Sequence, residues 1–262
     1  MRAAFSALLI PVLAAAAAAV AQNPKAILDI PKQAVEKADF RATGHLIRVD
    51  PGGARTSYPI NLKAHWFPGV LRILVEVSQP SGSPPAAAHT APVHMLLELR
   101  PGGQNSIKIA HSGDAAATSL PVERWTEGLA DTGFTYEDFL EQQYFWSGQS
   151  VTEHVKYGAR DCDLVKSTPG PSDRSGYSEV KSWLDSSIGF PVYVEKTLRK
   201  TAPVREYTYY GLRHEGGVWS ANQIEEKNHG QNGSTLLIID RGSPKANLGP
   251  GDFSPEKLTR FP

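Results

Sequence analysis

One stretch of sequence decides the fold class: YPINLKAHW, residues 58–66. Apolar and polar side chains alternate along it with a period of two, which places every apolar side chain on the same side of an extended chain. The apolar set is Tyr58, Ile60, Leu62, Ala64 and Trp66. We therefore predict a β-strand here, with one face against a core and the other towards solvent.

The same alternation recurs twice further along the chain. Its apolar positions are Leu71, Ile73, Val75 and Val77 in the first repeat, and Val93, Met95, Leu97 and Leu99 in the second. Residues 79–92, between them, are rich in Pro, Ala and Ser and are predicted to form an exposed loop. Three neighbouring strands with one apolar face each indicate a sheet that covers a core on one side.

Downstream, the predicted strands are joined by short turn segments, which favour antiparallel neighbours. Their ranges are 151–157, 161–167, 177–185, 190–198, 205–213, 218–226 and 234–240. Between the two groups, apolar side chains recur at helical spacing up to Trp146, with Thr135 as the predicted N-cap. This pattern predicts an amphipathic helix, and shorter helices are predicted within 120–133 and over 26–38.

These elements predict a mainly β fold. We expect one large curved antiparallel sheet, an incomplete β-barrel, with short helices forming a lid over an apolar concavity, because an apolar sheet face must be buried against something. No domain boundary is evident, so residues 22–262 are expected to form a single domain.

The N-terminal residues predict the compartment. Arg2 precedes an apolar run that ends in Ala19-Val20-Ala21, which is the pattern of a secretory signal peptide cleaved after Ala21. A retained membrane anchor is the alternative, although the run is mostly alanine and Pro11 interrupts it. We therefore predict an exported, periplasmic protein whose mature part does not span a membrane.

Charge and cysteine content exclude several classes of function. Without Arg2 the chain has 26 basic and 27 acidic side chains, so there is no electrostatic case for a nucleic-acid partner. Cys162 is the single cysteine, and an internal disulfide is therefore impossible. No cofactor is expected, and the mature protein is predicted to be a monomer.

Catalytic signatures are weak. The sequence contains neither G-x-S-x-G nor H-E-x-x-H. Asp161 and Asp163 flank Cys162, and we interpret them as solvent-facing acids around a buried thiol. Glu225-Glu226 is interpreted as a solvated strand edge. An envelope hydrolase that uses Asp161 and Asp163 remains a third hypothesis.

Residues 134–261 resemble the C-terminal part of the outer-membrane lipoprotein-sorting family (LolA/LolB-like), in its stand-alone periplasmic branch. The resemblance rests on an ordered set of segments: FTYEDF at 134–139, CDL at 162–164, YSEVKSWLD at 177–185, FPVYVE at 190–195, GVW at 217–219, STLLI at 234–238 and FS at 253–254. The first half of the chain matches this family only loosely. The resemblance implies an incomplete barrel closed by short helices, which sequesters acyl chains. It also implies an arginine that locks the lid, which is assigned to no residue because the sequence does not distinguish Arg48 from Arg72.

The leading hypothesis is a non-enzymatic periplasmic carrier of a lipid or an acylated protein, linked to outer-membrane lipoprotein sorting. The predicted lipid-binding residues are Ile60, Leu62, Trp66, Leu71, Ile73, Val75, Met95 and Leu97 in the walls, and Phe139, Leu140 and Tyr144 in the lid. The alternative is an envelope sensor or scaffold of the same fold, which docks a protein partner through the loop at 79–92 and the open sheet edge.

Overall fold

The structure, a computed structural model, describes residues 24–80, 92–200, 204–230 and 232–261. The predicted signal peptide and most of the predicted loop at 79–92 lie outside the described residues. In the described part, no helix is long and apolar enough to cross a membrane.

The helix α1 (Pro24–Glu36) precedes the sheet. The strands are β1 (Asp39–Val49), β2 (Arg55–Phe67), β3 (Val70–Val77), β4 (Val93–Leu99), β5 (Ser106–His111), β6 (Thr118–Ser119), β7 (Gly148–Tyr157), β8 (Arg160–Thr168), β9 (Tyr177–Asp185), β10 (Pro191–Leu198), β11 (Val204–Glu215), β12 (Val218–Asn228) and β13 (Ser234–Pro244). Short 3-10 helices lie between β6 and β7 and after β13.

These strands form one antiparallel sheet in the order β6-β5-β4-β3-β2-β1-β13-β12-β11-β10-β9-β8-β7. Most strands pair with the strands that precede and follow them in the chain. The pairing of β1 with β13 joins the two ends of the sequence, while β6 and β7, which residues 120–147 separate, form the two edges of the sheet. The sheet is therefore not closed into a barrel. This confirms the predicted fold class.

The inner face of the sheet, which we define as the face that carries Leu62, Val75 and Leu97, holds the main apolar core. Leu62 pairs with Val75, Val75 with Met95, and Met95 with Ile109, so one apolar row crosses four strands. The segment 120–146, here called the lid, covers this face. At the β7 end, α1 covers it instead, through Leu28, which packs with Val165 and Leu184.

The outer face is covered only in part. Leu74, Leu96 and Ala110 point to this side of β3, β4 and β5, and they pack against Phe253 and Leu258 of the C-terminal segment 245–261. This second layer explains why β3 and β4 are buried on both faces.

The structure also corrects the predicted elements. Strands β1, β5 and β6 are not among the predicted strands. Gly44 weakens the alternation in β1, and β5 and β6 are too short and too polar to show it. Gly44 lies against the Ile238 carbonyl of β13, where a β-carbon would overlap the backbone. The ten predicted strands are present, with ends shifted by a few residues at most.

The amphipathic helix predicted after Thr135 is wrong. The segment forms two 3-10 helices, Glu137–Leu140 and Gln142–Phe145, separated by Glu141 in the left-handed region (φ 45°, ψ 33°). Residues 120–133 likewise form 3-10 turns, Val122–Arg124 and Leu129–Asp131. The physical reason is that the polar side chains of the lid bond to the sheet, as described below, and these tertiary bonds override the helical pattern.

Candidate functional site

The predicted wall residues lie together on the inner face. Ile60, Leu62, Leu71, Ile73, Val75, Met95 and Leu97 belong to one apolar cluster, and each is at most 7% exposed. Trp66 is half-buried at the margin of the same cluster. The concavity predicted between sheet and lid is therefore filled by the protein's own side chains in this structure.

The lid supplies those side chains. Trp125, Leu129, Phe134, Leu140 and Trp146 are buried in the same cluster as the walls. Phe139 is half-buried against it. Tyr144 is placed differently from the prediction, because it packs with Leu28 of α1 rather than over the walls. Two of the three predicted lid residues therefore face the wall cluster.

The lid is attached to the sheet through side chains. At the start of the lid, the Leu120 N–H donates to the Ile107 carbonyl of β5 at 2.8 Å, and the other backbone–backbone hydrogen bonds described for the lid join its own residues. Beyond Leu120, the bonds that cross to the sheet involve a side chain on at least one partner, as where the Gly133 amide donates to Thr235 Oγ1 at 2.8 Å. The lid beyond Leu120 can therefore separate from the sheet without breaking a β-ladder.

The strongest attachment is the buried carboxylate of Asp138. It accepts hydrogen bonds from Lys196 Nζ at 2.9 Å, and from the hydroxyls of Tyr177 and Tyr207 at 2.8 Å each. The backbone N–H of Thr135 donates to it as well, at 2.7 Å. The three side-chain donors come from β9, β10 and β11, which are neighbours in the sheet.

A second carboxylate of the lid, Glu137, is also buried. It accepts hydrogen bonds from the Ser175 hydroxyl, the Gln142 amide and the Gly176 N–H, the last at 2.8 Å. Gln142 in turn accepts from the side-chain amide of Asn105. These bonds tie the lid both to the loop before β9 and to the loop before β5.

Two arginines of the sheet hold the segment around Gly133. Arg205 donates to the Gly133 carbonyl and pairs with Glu226 of β12 at 3.2 Å. Arg48 of β1 pairs with Asp131 of the lid. Ala130 and Asp131 both adopt positive φ (51° and 58°), a conformation that is unfavourable for residues other than glycine.

The structure distinguishes the two candidate lid-contacting arginines. Arg48 contacts the lid, whereas Arg72 lies on the outer face, where it pairs with Glu98 at 3.0 Å.

Burial shifts the pKa values of this cluster in different directions. It raises the pKa of Glu137 to about 7, against the hydrogen bonds from Ser175 and Gly176, and that of Glu226 to about 7, against the charge of Arg205. For Asp138, burial also acts to raise the pKa, but the charges of Lys196 and Arg205 outweigh it and hold the pKa below its usual range. Asp138 is therefore the carboxylate that stays ionised.

This cluster of buried charges is not among the features predicted from the sequence. The interpretation of Glu226 as a solvated edge is wrong, because Glu226 is 2% exposed and points to the inner face beside Arg205. The signal that could have found it is Lys196, which occupies an inward position of β10 after Val192 and Val194. A charge at an inward position of a strand needs a buried partner.

The acid pair around Cys162 is only half as predicted. Cys162 is buried and Asp161 is exposed, but Asp163 is 6% exposed and contacts His154 Nδ1 at 3.1 Å. The two acids have separate partners, because the exposed Asp161 pairs with Lys156 at 2.9 Å. In the described residues, no three His, Cys, Asp or Glu side chains are grouped as metal ligands would be.

A shallow pocket of about 330 Å³ lies on the outer face, on the opposite side of the sheet from the walls. Its lining residues are Arg72, Leu96, Glu98, Ser106, Lys108, Pro250, Phe253, Ser254 and Pro255.

Comparison with known proteins places the chain in a family. A family model described as "Uncharacterized protein" matches residues 121–260, just over half of the 262 residues. The chain belongs to this family. The match begins at the lid and runs to the C-terminal segment, so it contains both Asp138 and its three side-chain donors on β9, β10 and β11. The search of curated proteins found no match to this chain.

Solved structures show the fold that this family member shares. A domain from Vibrio parahaemolyticus, described as an outer membrane lipoprotein-sorting protein domain, is 19% identical with a TM-score of 0.77, and the match covers 91% of this chain and 100% of that one. A DUF1329 family protein from Desulfovibrio piger is 12% identical with a TM-score of 0.72 (90% and 98% covered). A LolA superfamily protein from Nitrosomonas europaea is 12% identical with a TM-score of 0.65 (90% and 99% covered). The fold is thus LolA-like, as the sequence resemblance implies.

Proposed function

We propose that this protein is a periplasmic carrier that shields the acyl chains of a lipid or an acylated protein between the inner face of its sheet and the lid, without catalysing a reaction. The observation that supports this most is the continuous apolar row on the inner face, covered by a lid that is held through side chains. Similarity of fold to a lipoprotein-sorting domain agrees with it.

The energetics of such a carrier are those of an exchange. Acyl chains gain about 0.8 kcal/mol per buried methylene group. In the closed structure the lid side chains already cover the walls, so cargo must replace contacts such as those of Trp125 and Leu129, both at most 1% exposed. A long acyl chain offers enough apolar surface to displace them, whereas a short one does not.

A synthetic dipalmitoylated peptide tests this directly, with the same peptide lacking acyl chains as the control. We expect one acylated peptide to bind per protein, and hydrogen exchange to accelerate in the lid while the amides of β2 to β4 stay protected. Equal binding of both peptides, or no binding of the acylated one, would contradict the proposal.

Two neighbouring isoleucines of β13 provide matched variants. Ile239 packs against the wall cluster, whereas Ile238 pairs with His45 and Gln223 and points to the outer face. Both are half-buried, so a charge at either position is tolerated far better than at Leu97, which is 0% exposed. We expect Ile239→Glu to weaken binding of the acylated peptide by about tenfold or more, and Ile238→Glu to leave it unchanged.

The scaffold alternative is favoured by a different observation. On the outer face, Tyr157 stacks on Tyr193 at 5.0 Å between ring centroids, and Trp183 meets Tyr193 edge-on at 4.9 Å. These half-buried rings form an aromatic surface of the kind that is enriched in protein interfaces. Recovery of one stoichiometric envelope protein, lost on Tyr193→Ala and with no lipid bound, would favour this function.

A further inference from the structure

The donors that hold Asp138 belong to the sheet and not to the lid. Lys196, Tyr177 and Tyr207 project from three adjacent strands and converge on one carboxylate, and all three are at most 4% exposed. Lys196 Nζ also lies 4.6 Å from the centroid of the Tyr207 ring. The strands of the sheet, rather than the lid, therefore carry all three donors.

This group of donors, here called the cradle (Lys196, Tyr177 and Tyr207), is continuous with the apolar walls. The rings of Tyr177 and Tyr207 belong to the same buried cluster as Leu62, Val75 and Leu97. An acyl chain lying along the walls would thus have the cradle within the same trough.

Opening the lid changes the charge balance of the cradle. In the closed structure Lys196 is paired with Asp138 of the lid, and Arg205 is paired with Glu226 of the sheet. When the lid leaves, Arg205 keeps its partner, but Lys196 loses its own. The trough then presents the unpaired ammonium of Lys196 and two hydroxyl donors beside the apolar walls. Arg48 also loses its lid partner, Asp131, but its side chain is 36% exposed even in the closed structure, so solvent compensates that charge.

A lone cation in such a place is unfavourable, because the charge has lost its partner while remaining partly desolvated. A cargo that supplies an anion restores the pairing, and a neutral cargo does not. A buried ion pair is moreover a poor source of stability compared with apolar packing, so the exchange of one anion for another gives Lys196 and Asp138 a use that stability alone does not.

We propose that the Asp138 carboxylate occupies the position of the cargo's own anionic group, and that the cradle selects acyl chains with a terminal oxyanion, either a carboxylate or a phosphate monoester. This rests on the proposed carrier function and names its cargo class. The lid acts as an internal competitor for the cradle, and the cargo anion displaces it.

The test compares ligands that share one chain and differ only in the head. Palmitic acid, its methyl ester and monopalmitoyl lysophosphatidic acid are titrated into the whole protein at pH 8. The signal is the change in total tryptophan emission, to which Trp125 and Trp146 of the lid contribute. We expect at least one anion to bind about tenfold or more tightly than the ester, a difference of about 1.4 kcal/mol. The stronger of the two anions distinguishes a carboxylate from a phosphate head.

Variants locate the selectivity. Lys196→Met combined with Asp138→Asn removes both charges, so that no lone buried ion remains, and it should bring the ratio of acid to ester affinity close to one. Lys166→Met is the matched control, because Lys166 pairs with Glu179 on the outer face and is 41% exposed; the ratio should persist. Asp138→Ala, which removes only the competitor, should raise the affinity for the acid.

The outcomes separate the two proposals. If the ester binds as tightly as both anions, or if the double variant keeps the preference, the cradle proposal is wrong while the carrier function stands. If no acylated ligand binds at all, both are wrong.

Discussion

At the scale of single residues, Gly133 shows how closely the lid approaches the sheet. A β-carbon at this position would overlap the Glu226 carboxylate, while the Gly133 N–H and carbonyl bond to Thr235 and Arg205. Neither the backbone nor the carboxylate can move away without breaking one of these bonds.

We therefore expect Gly133→Ala to reduce the free energy of unfolding by about 1–3 kcal/mol, the usual effect of overpacking. The measurement is urea denaturation followed by circular dichroism. Gly249→Ala is the control, since a β-carbon there meets nothing within 4 Å. Equal effects of the two variants would show that the lid does not pack on Glu226 as described.

The titration of Glu137 and Glu226 sets the pH dependence of stability. Both have a pKa of about 7 in the folded protein, above the ordinary value of 4.5, so the folded state binds more protons than the unfolded state between these values. Their contribution to stability is complete below about pH 4.5 and is lost as the pH rises through 7. His94, whose pKa burial lowers, acts in the opposite direction but is a single group.

We accordingly expect the melting temperature to fall by several degrees from pH 5 to pH 8, since about 1 kcal/mol shifts it by roughly 2–4 °C in a protein of this size. Below pH 4 the melting temperature should fall again, because protonation of Asp138 removes the ion pair and hydrogen bonds that its carboxylate makes. Differential scanning calorimetry measures both limbs. Glu226→Gln should make the fall in melting temperature between pH 5 and pH 8 smaller. An unchanged fall would contradict the raised pKa of Glu226.

At the scale of elements, the lid is where sequence reasoning and structure differ most. The spacing of Phe139, Leu140 and Tyr144 fits a helix, and a prediction from periodicity uses only that spacing. Periodicity contains no information on the hydrogen-bond partners of Asp138 and Glu137, which lie on β9, β10 and β11 and in the loop before β9. Bonds between distant parts of the chain determine the conformation here, and the left-handed Glu141 lets both 3-10 helices reach them.

The strands were predictable for the opposite reason. Alternation along β2, β3 and β4 is a local property that places Leu62, Val75 and Leu97 on one face whatever their partners are. Long-range pairing then only has to align these faces. Local pattern thus suffices for the walls, but it says nothing about what covers them.

The C-terminal segment is an element whose role follows from packing. Phe253 is 2% exposed and meets the Phe67 ring edge-on at 5.7 Å, over the outer side of β3 and β4. We expect Phe253→Ala to cost about 3–5 kcal/mol of unfolding free energy, because it leaves a cavity between two apolar layers. In guanidinium denaturation, Phe40→Ala, at an exposed position (38%), should cost much less.

At the scale of the whole molecule, an open sheet of this length needs separate covers for its apolar surfaces. The lid and α1 cover the inner face, and the C-terminal segment covers the outer face of β3 to β5. Of these covers, the lid is the one that combines strained backbone at Ala130 and Asp131 with buried charges. The cover that combines these two features is also the one that lies over the proposed cargo trough.

The central claim, that this trough carries acyl chains, is tested most directly by native mass spectrometry of the protein purified from a bacterial periplasm, followed by organic extraction. The account predicts a complex of one protein with one lipid or acylated peptide, whose extracted cargo bears a carboxylate or phosphate. A mass equal to the polypeptide alone, unchanged when acyl lipids are supplied in excess, would contradict it.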